Sequence, residues 1–247
     1  MSRNFELLRA ADWSQEFFQG LPAEARVAEV NRKRVKRRPP GNDRISRLVQ
    51  RLFLDTRSSQ IRSVLFTPST KKVASTWTCA QTARVLAESI EGTVCAVDMN
   101  FQSPALHQHF PGTTKLSPSH GGLGSLSVRD SAEQIKGSNL WVVTAGQAAK
   151  RWQQRTNATA AESTLLQLKT EFDYLLVDAP PIAADSNAIA AARSVDGVVL
   201  VAELTANGAN SVFEAQQKLD RAHLPLLGVV LSRVESALPL VLDRLIR

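Results

Sequence analysis

Six short apolar runs, helix-patterned stretches between them and polar residues where several runs end predict a doubly wound α/β domain. Its sheet is mainly parallel, with flanking helices. The runs are Val64-Leu65-Phe66, Thr93–Val97, Leu140–Val143, Tyr174–Val177, Val198–Val201 and Leu226–Leu231. Each is continuous rather than alternating, the pattern of strands buried on both faces. The helical stretches fall at about 76–90, 160–171, 185–194 and 209–222. Such a domain binds ligands in a crevice at the carboxyl ends of its strands.

Taken from the start, residues 4–18 carry a weak helical pattern (Phe5, Leu7, Leu8, Ala11, Phe17, Phe18) that ends at Gly20-Leu21-Pro22. Arg32-Lys33-Arg34-Val35-Lys36-Arg37-Arg38 and the prolines after it read as a solvated linker, because like charges repel and proline ends a helix. Residues 1–42 therefore form a basic, partly disordered segment and residues 43–247 the folded domain. Asp43 is placed to cap a helix whose apolar positions are Ile45, Leu48, Val49 and Leu52, with Arg44, Arg47 and Arg51 off that stripe. Residues 112–139, rich in Gly, Ser and Thr, read as a long irregular connection. Leu238, Val241, Leu242 and Leu245 share one helical face near the end.

The chain has 247 residues and a net charge of +7. Residues 1–62 hold 14 basic and 7 acidic side chains, and the remainder is neutral with 16 of each. A hydrophobic content of 43% excludes a wholly disordered chain. No apolar run reaches the roughly 18 to 20 residues that span a bilayer. Glu6, Asp12 and Glu16 interrupt the N-terminus, which lacks the apolar stretch of a secretory signal. Cys79 and Cys95 lie in apolar segments, which argues against a disulfide framework. A soluble intracellular protein is expected.

Three strand ends carry candidate chemistry. The first run leads into Thr67-Pro68-Ser69-Thr70-Lys71-Lys72-Val73-Ala74-Ser75-Thr76-Trp77 and a helix, the place where helix amides hold phosphates. The second ends in Asp98-Met99-Asn100 and the fourth in Asp178-Ala179-Pro180-Pro181. A carboxylate after an apolar strand grips magnesium in many nucleotide sites, directly or through water, or else caps the next helix. His107, His109 and His120 fall near the same crevice and read as surface or packing residues; His223 reads as a helix-terminal residue.

The stretches Val94–Phe110, Phe172–Ile182, Val195–Val201 and Leu227–Leu231 resemble the bacterial tyrosine kinase family of P-loop proteins. That family is related to the partition and division-site ATPases. The resemblance covers roughly residues 43–233; Met1–Arg9 and Trp77–Ala87 look like a subgroup found in exopolysaccharide gene clusters. It implies a P-loop NTPase-like fold, Mg-ATP as cofactor and an inner-membrane polysaccharide copolymerase or other exopolysaccharide assembly protein as partner. A cytoplasmic location, peripheral at the inner membrane, goes with that. Family members use the helix before the first strand in ring assembly, so a homo-oligomer is a further expectation.

Carried over residue by residue, Lys72 and Ala74 stand where the phosphate loop has glycines, and Ser75 stands at its lysine. Thr76 is at the metal-binding hydroxyl and Trp77 at the second hydroxyl. Asp98 matches the first carboxylate of the metal-binding strand, with Asn100 in place of a second. Asp178 matches the other metal carboxylate, and Ser232 stands where an asparagine reads adenine. Thr76, Asp98 and Asp178 are thus the expected magnesium residues, the two aspartates also the catalytic ones. Loss of the lysine removes the charge that neutralises the phosphates, and loss of glycines restricts the wrapping backbone. Lys71 or Lys72 either reaches a phosphate or is a surface lysine. The sole tyrosine, Tyr174, lies in a core run rather than in a C-terminal cluster.

The expectation is a tyrosine-kinase-like protein of exopolysaccharide or capsule biosynthesis, catalytically impaired or a pseudokinase regulator. The alternatives are an active kinase with a non-standard loop and a partition-like ATPase acting on DNA or membrane. For residues 32–38 a linker, an anionic membrane surface and an acidic partner tail all fit. Nucleic acid comes last, since no aromatics are interleaved.

Overall fold

The protein's structure, a computed structural model, describes residues 5–6, 42–55, 61–70, 74–113, 131–145, 158–203 and 206–232. The basic cluster 32–38, Lys71, Lys72, His120 and the patterned tail after 232 lie outside the described residues.

In chain order the elements are β1 (Phe5–Glu6), α1 (Asn42–Val49) running into a π-helical turn (Gln50–Leu54), β2 (Ser63–Pro68), α2 (Ser75–Ser89) and β3 (Val94–Asp98). A 3-10 turn (Leu106–His109), β4 (Glu133–Gln134), β5 (Leu140–Val143), α3 (Ala158–Glu171) and β6 (Tyr174–Asp178) follow. The chain continues through α4 (Ser186–Ala192), β7 (Gly197–Glu203), α5 (Ala206–Arg221) and β8 (Leu226–Ser232). They build one sheet in the order β1-β8-β7-β2-β6-β3-β5-β4. The six inner strands pair in parallel; β1 and β4 close the two edges antiparallel.

The expected doubly wound architecture is what is found. All six apolar runs are the parallel strands, and each extends by one or two residues at most at its crevice end. Alternate strand residues feed two cores. Leu65, Val97, Leu175, Val177 and Leu200 pack under α3, α4 and α5. Val64, Phe66, Ala96, Leu176 and Val201 pack under α1 and α2, where Ile45, Leu48, Val49 and Leu52 are all buried as their spacing predicts. Cys79 and Cys95 are buried free thiols in opposite cores, so no disulfide joins them.

Three expectations need correction. Phe5 and Glu6, placed in a weak helical pattern, pair as a strand with β8, because an open sheet edge offers them backbone partners that no local spacing reveals. Glu133–Gln134, placed in an irregular connection, pairs with Trp141 and Val142 of β5 for the same reason. The first helix begins at Asn42, so Asp43 lies inside its first turn rather than at its cap. His223 does end a helix, in the left-handed conformation at φ 54° just past α5.

At the end of the sheet away from the crevice, Asp196 accepts from the amides of Arg62 (2.9 Å) and Ser63 (2.8 Å) and from Lys169 Nζ (2.9 Å). It therefore ties β2, α3 and the entry to β7 together. Gly197 opens β7 against Leu227 of β8, and a Cβ there would lie 2.5 Å from Leu227 Cγ. Gly197→Ala is expected to destabilise the domain by about 1–3 kcal/mol through overpacking, read as a lower urea midpoint at unchanged m value.

Candidate functional site

The crevice end of the sheet is assembled by β2, β3 and β6 around the start of α2. Asp98 ends β3 and Asp178 ends β6, neighbouring strands in which the two residues are register partners. Both are fully buried. The amide of Met99 donates to the Asp178 carbonyl (2.8 Å) and that of Ala179 to the Phe66 carbonyl (2.9 Å), which carries the parallel ladder one step into the crevice.

The two carboxylates are used differently. Asp98 Oδ1 accepts from the amide of Asn100 (3.0 Å), and Oδ2 accepts from the amides of Ala105 and Leu106 (3.1 Å each). Both of its oxygens thus hold the connection that follows β3. The Asn100 side-chain oxygen accepts from the Ser103 amide (3.3 Å) and tightens the same turn. Asp178 Oδ2 accepts from the Thr76 hydroxyl at 2.7 Å. Its Oδ1 is buried and has no hydrogen bond of ordinary geometry among the described residues.

Burial raises the Asp98 carboxyl to about 6, against the opposing pull of the Leu106, Asn100 and Ala105 amides. Asp178 is raised well above the ordinary carboxylate range by burial first and by the Asp98 charge second; the Thr76 and Ser75 hydroxyls oppose this. Cys79, one turn along α2, is raised by burial and by both carboxylates, so it sits within their field. No described basic side chain contributes to the shift of either aspartate. The described crevice floor is therefore acidic.

The phosphate-loop candidates gather here in part. Ala74 precedes α2 with φ −80° and ψ 51°, and its carbonyl accepts from the Thr78 amide (3.2 Å) and hydroxyl (2.9 Å). Ser75 opens α2 and is buried at 3% exposure. Thr76 faces Asp178 as described. Trp77 is half-buried and packs against the α1–α2 core. Lys72 lies outside the described residues. Ser69 is buried where β2 leaves the sheet, its amide donating to the Val201 carbonyl (2.8 Å) and its hydroxyl without a partner among the described residues. Ser232 is buried at the end of β8, opposite Glu203 of β7 and Phe5 of β1. It stands three strands from Asp178 in the sheet order.

Thr67 opens the stretch after the first apolar run, and its role is visible only in the folded chain. Its hydroxyl donates to the Pro180 carbonyl (2.8 Å) and accepts from the Ile182 amide (3.0 Å), pinning the Asp178-Ala-Pro-Pro turn to β2. Lys218 of α5 donates to the Ala183 carbonyl and steadies the same turn from outside. A lone polar residue at the crevice end of an apolar strand was the available signal. His107 and His109 lie in the 3-10 turn after β3, where Arg84 donates to the His109 carbonyl and stacks over Phe110 at 5.1 Å. Among the described residues no group of three or more His, Cys, Asp or Glu side chains gathers to hold a metal. Thr76 and Asp178 fit two positions around a magnesium ion that brings its own phosphate and water oxygens. Nothing described at Ser75 supplies the positive charge that a polyphosphate needs.

No family model matches the chain. It is 24% identical over 188 residues to CapB of Staphylococcus aureus, named as a tyrosine-protein kinase, covering 74% of this chain and 80% of that one. It is 26% identical over 176 residues to the tyrosine-protein kinase Etk of Escherichia coli K12, covering 69% of this chain but only 23% of Etk. The solved kinase domain of E. coli ETK matches the fold with a TM-score of 0.64 at 22% identity, over 91% of this chain and 89% of that domain. Relatives and fold together support a resemblance to the bacterial tyrosine kinases: similar chains carry that name, and the fold matches a solved kinase domain of that kind.

Proposed function

We propose that this is a tyrosine-kinase-like protein of exopolysaccharide or capsule biosynthesis in which phosphoryl transfer is impaired, and that it acts as a regulator of a membrane polysaccharide copolymerase. The observation that carries the impairment is Ser75. It is buried at the first turn of α2, where its neutral hydroxyl faces the Asp178 carboxyl, whose Oδ1 makes no hydrogen bond of ordinary geometry among the described residues. Phosphoryl transfer depends on electrostatic stabilisation of the transferring group, and a neutral hydroxyl supplies little of it. Thr76 and Asp178 are the residues that would hold magnesium, while Asp98 acts through its three amide contacts to shape the wall beside them. The nucleotide residues expected at Lys72, Ala74, Ser75, Thr76, Trp77 and Ser232 then form a remnant site. The domain begins near residue 43, with the basic segment as a docking arm beside an inner-membrane complex. Among the described residues no helix is long and apolar enough to cross a membrane.

Calorimetric titration with ADP and ATP, with and without magnesium, tests this directly. Absence of micromolar binding and of phosphate release is expected. Micromolar Mg-ATP binding with measurable phosphate release overturns the proposal.

The retained Thr76–Asp178 hydrogen bond favours a second reading, an active kinase with a non-standard loop. It requires a tyrosine-phosphorylated partner whose labelling disappears in Asp178→Ala.

A further inference from the structure

The outer edge of β8 is half covered, and its burial follows the cover. β1 pairs antiparallel with the crevice end of β8, Phe5 opposite Ser232 and Glu6 opposite Leu231. Leu231 and Ser232 are buried there, as is Val230 next to them. Leu226, Leu227, Gly228 and Val229, beyond the reach of those two residues, are half-exposed. This stretch of edge is apolar, uncharged and free of proline, the composition that recruits another strand.

We propose that the chain's own opening segment continues past Glu6 as an edge strand along β8. Phe5 pairs with Ser232 and Glu6 with Leu231; continued by the same antiparallel step, that register would put Leu7 opposite Val230, Leu8 opposite Val229 and Arg9 opposite Gly228. Alternation along a strand sends Leu7 to the face of Val230, which packs in the α1–α2 core, and Leu8 to the face of Val229, which packs toward α3, α4 and α5. Each leucine thus meets the half-covered border of a core, and Arg9 ends the apolar stretch. The arm's basic cluster at 32–38 is then tethered at both ends, by β8 on one side and by α1 on the other. A two-residue strand holds little by itself; four or five residues with two apolar contacts form a clasp. This inference does not depend on whether nucleotide is bound.

Hydrogen exchange on the full-length protein tests it. The double variant Leu7→Pro/Leu8→Pro removes an amide donor whichever of the two positions is hydrogen-bonded. Exchange of the 226–230 backbone is expected to rise at least tenfold in the variant, with Val94–Asp98 unchanged as evidence that the sheet is intact. Adding a peptide of residues 1–9 in trans should restore protection. Three results overturn the proposal: unchanged exchange in the variant, protection lost only on truncation after Ser232, or protection that depends on protein concentration. The second makes the C-terminal tail the occupant and the third a second copy.

Discussion

Ser75→Lys is expected to raise the affinity for Mg-ADP by ten- to a hundredfold over the unsubstituted protein. The position opens α2, is almost fully buried and adjoins Asp178, whose Oδ1 makes no hydrogen bond of ordinary geometry among the described residues. A lysine there places an ammonium where both that oxygen and a phosphate can use it. Charge-assisted hydrogen bonds contribute about 1.5–3 kcal/mol, which is the stated range of affinity. Calorimetry of both proteins at one magnesium concentration reads the ratio. Ser75→Met controls for side-chain length without charge and should gain nothing. Equal affinities for the lysine and methionine variants would show that charge at this position is not what limits binding.

Asp178→Asn is expected to stabilise the fold at pH 7.5 by about 2 kcal/mol and to change it little at pH 4.5. Asp98 is raised to about 6 and Asp178 is raised by burial and by the Asp98 charge. A carboxyl raised in the folded state binds more protons folded than unfolded between the ordinary carboxylate range and its raised value. Stability therefore falls as pH rises through that window, and the full cost is present above it. Asparagine keeps the shape and can still accept from Thr76, while removing one of two adjacent charges. At pH 4.5, close to the ordinary carboxylate range, little of that cost is present, so little is gained. Asp173 and Asp196 are shifted the other way, downward, and lose their contribution on acidification, but they do so equally in both proteins. Urea unfolding at the two pH values in the presence of a chelator gives the difference; an equal gain at both would refute the repulsive pair. Stabilisation by removing a buried charge is the pattern of a site kept for function at a cost to stability.

Most of the fold is legible in the sequence because strands buried on both faces must be apolar at every position. Val64–Phe66, Leu175–Val177 and Val198–Val201 announce themselves in that way, and the stripe Ile45, Leu48, Val49, Leu52 announces the first helix. Three strand ends, and with them Asp98, Asp178 and the Ser75-Thr76 pair, follow from the same pattern. Edge pairing is not legible. Phe5–Glu6 and Glu133–Gln134 are two-residue strands, and what makes them strands is a row of open backbone groups on β8 and β5 rather than anything in their own side chains. The role of Thr67 is not legible for a related reason: its two hydrogen-bond partners lie more than a hundred residues away in the turn after β6.

The sequence alone determined a doubly wound sheet and the location of its ligand crevice. Through its resemblance to the bacterial tyrosine kinases it also implies that Ser75 stands where that family carries a positive charge. It could not separate the two aspartates, since each simply follows an apolar run. Only the tertiary structure did so. Chain folding after β3 brings three amides onto both oxygens of Asp98, whereas the hydrogen bond on the Asp178 carboxylate comes from the Thr76 side chain. One carboxylate is consumed in building a wall, and the other keeps a buried oxygen with no hydrogen bond of ordinary geometry among the described residues. Which groups a buried charge can reach depends on backbone that is distant in sequence, and that proximity exists only once the sheet has formed.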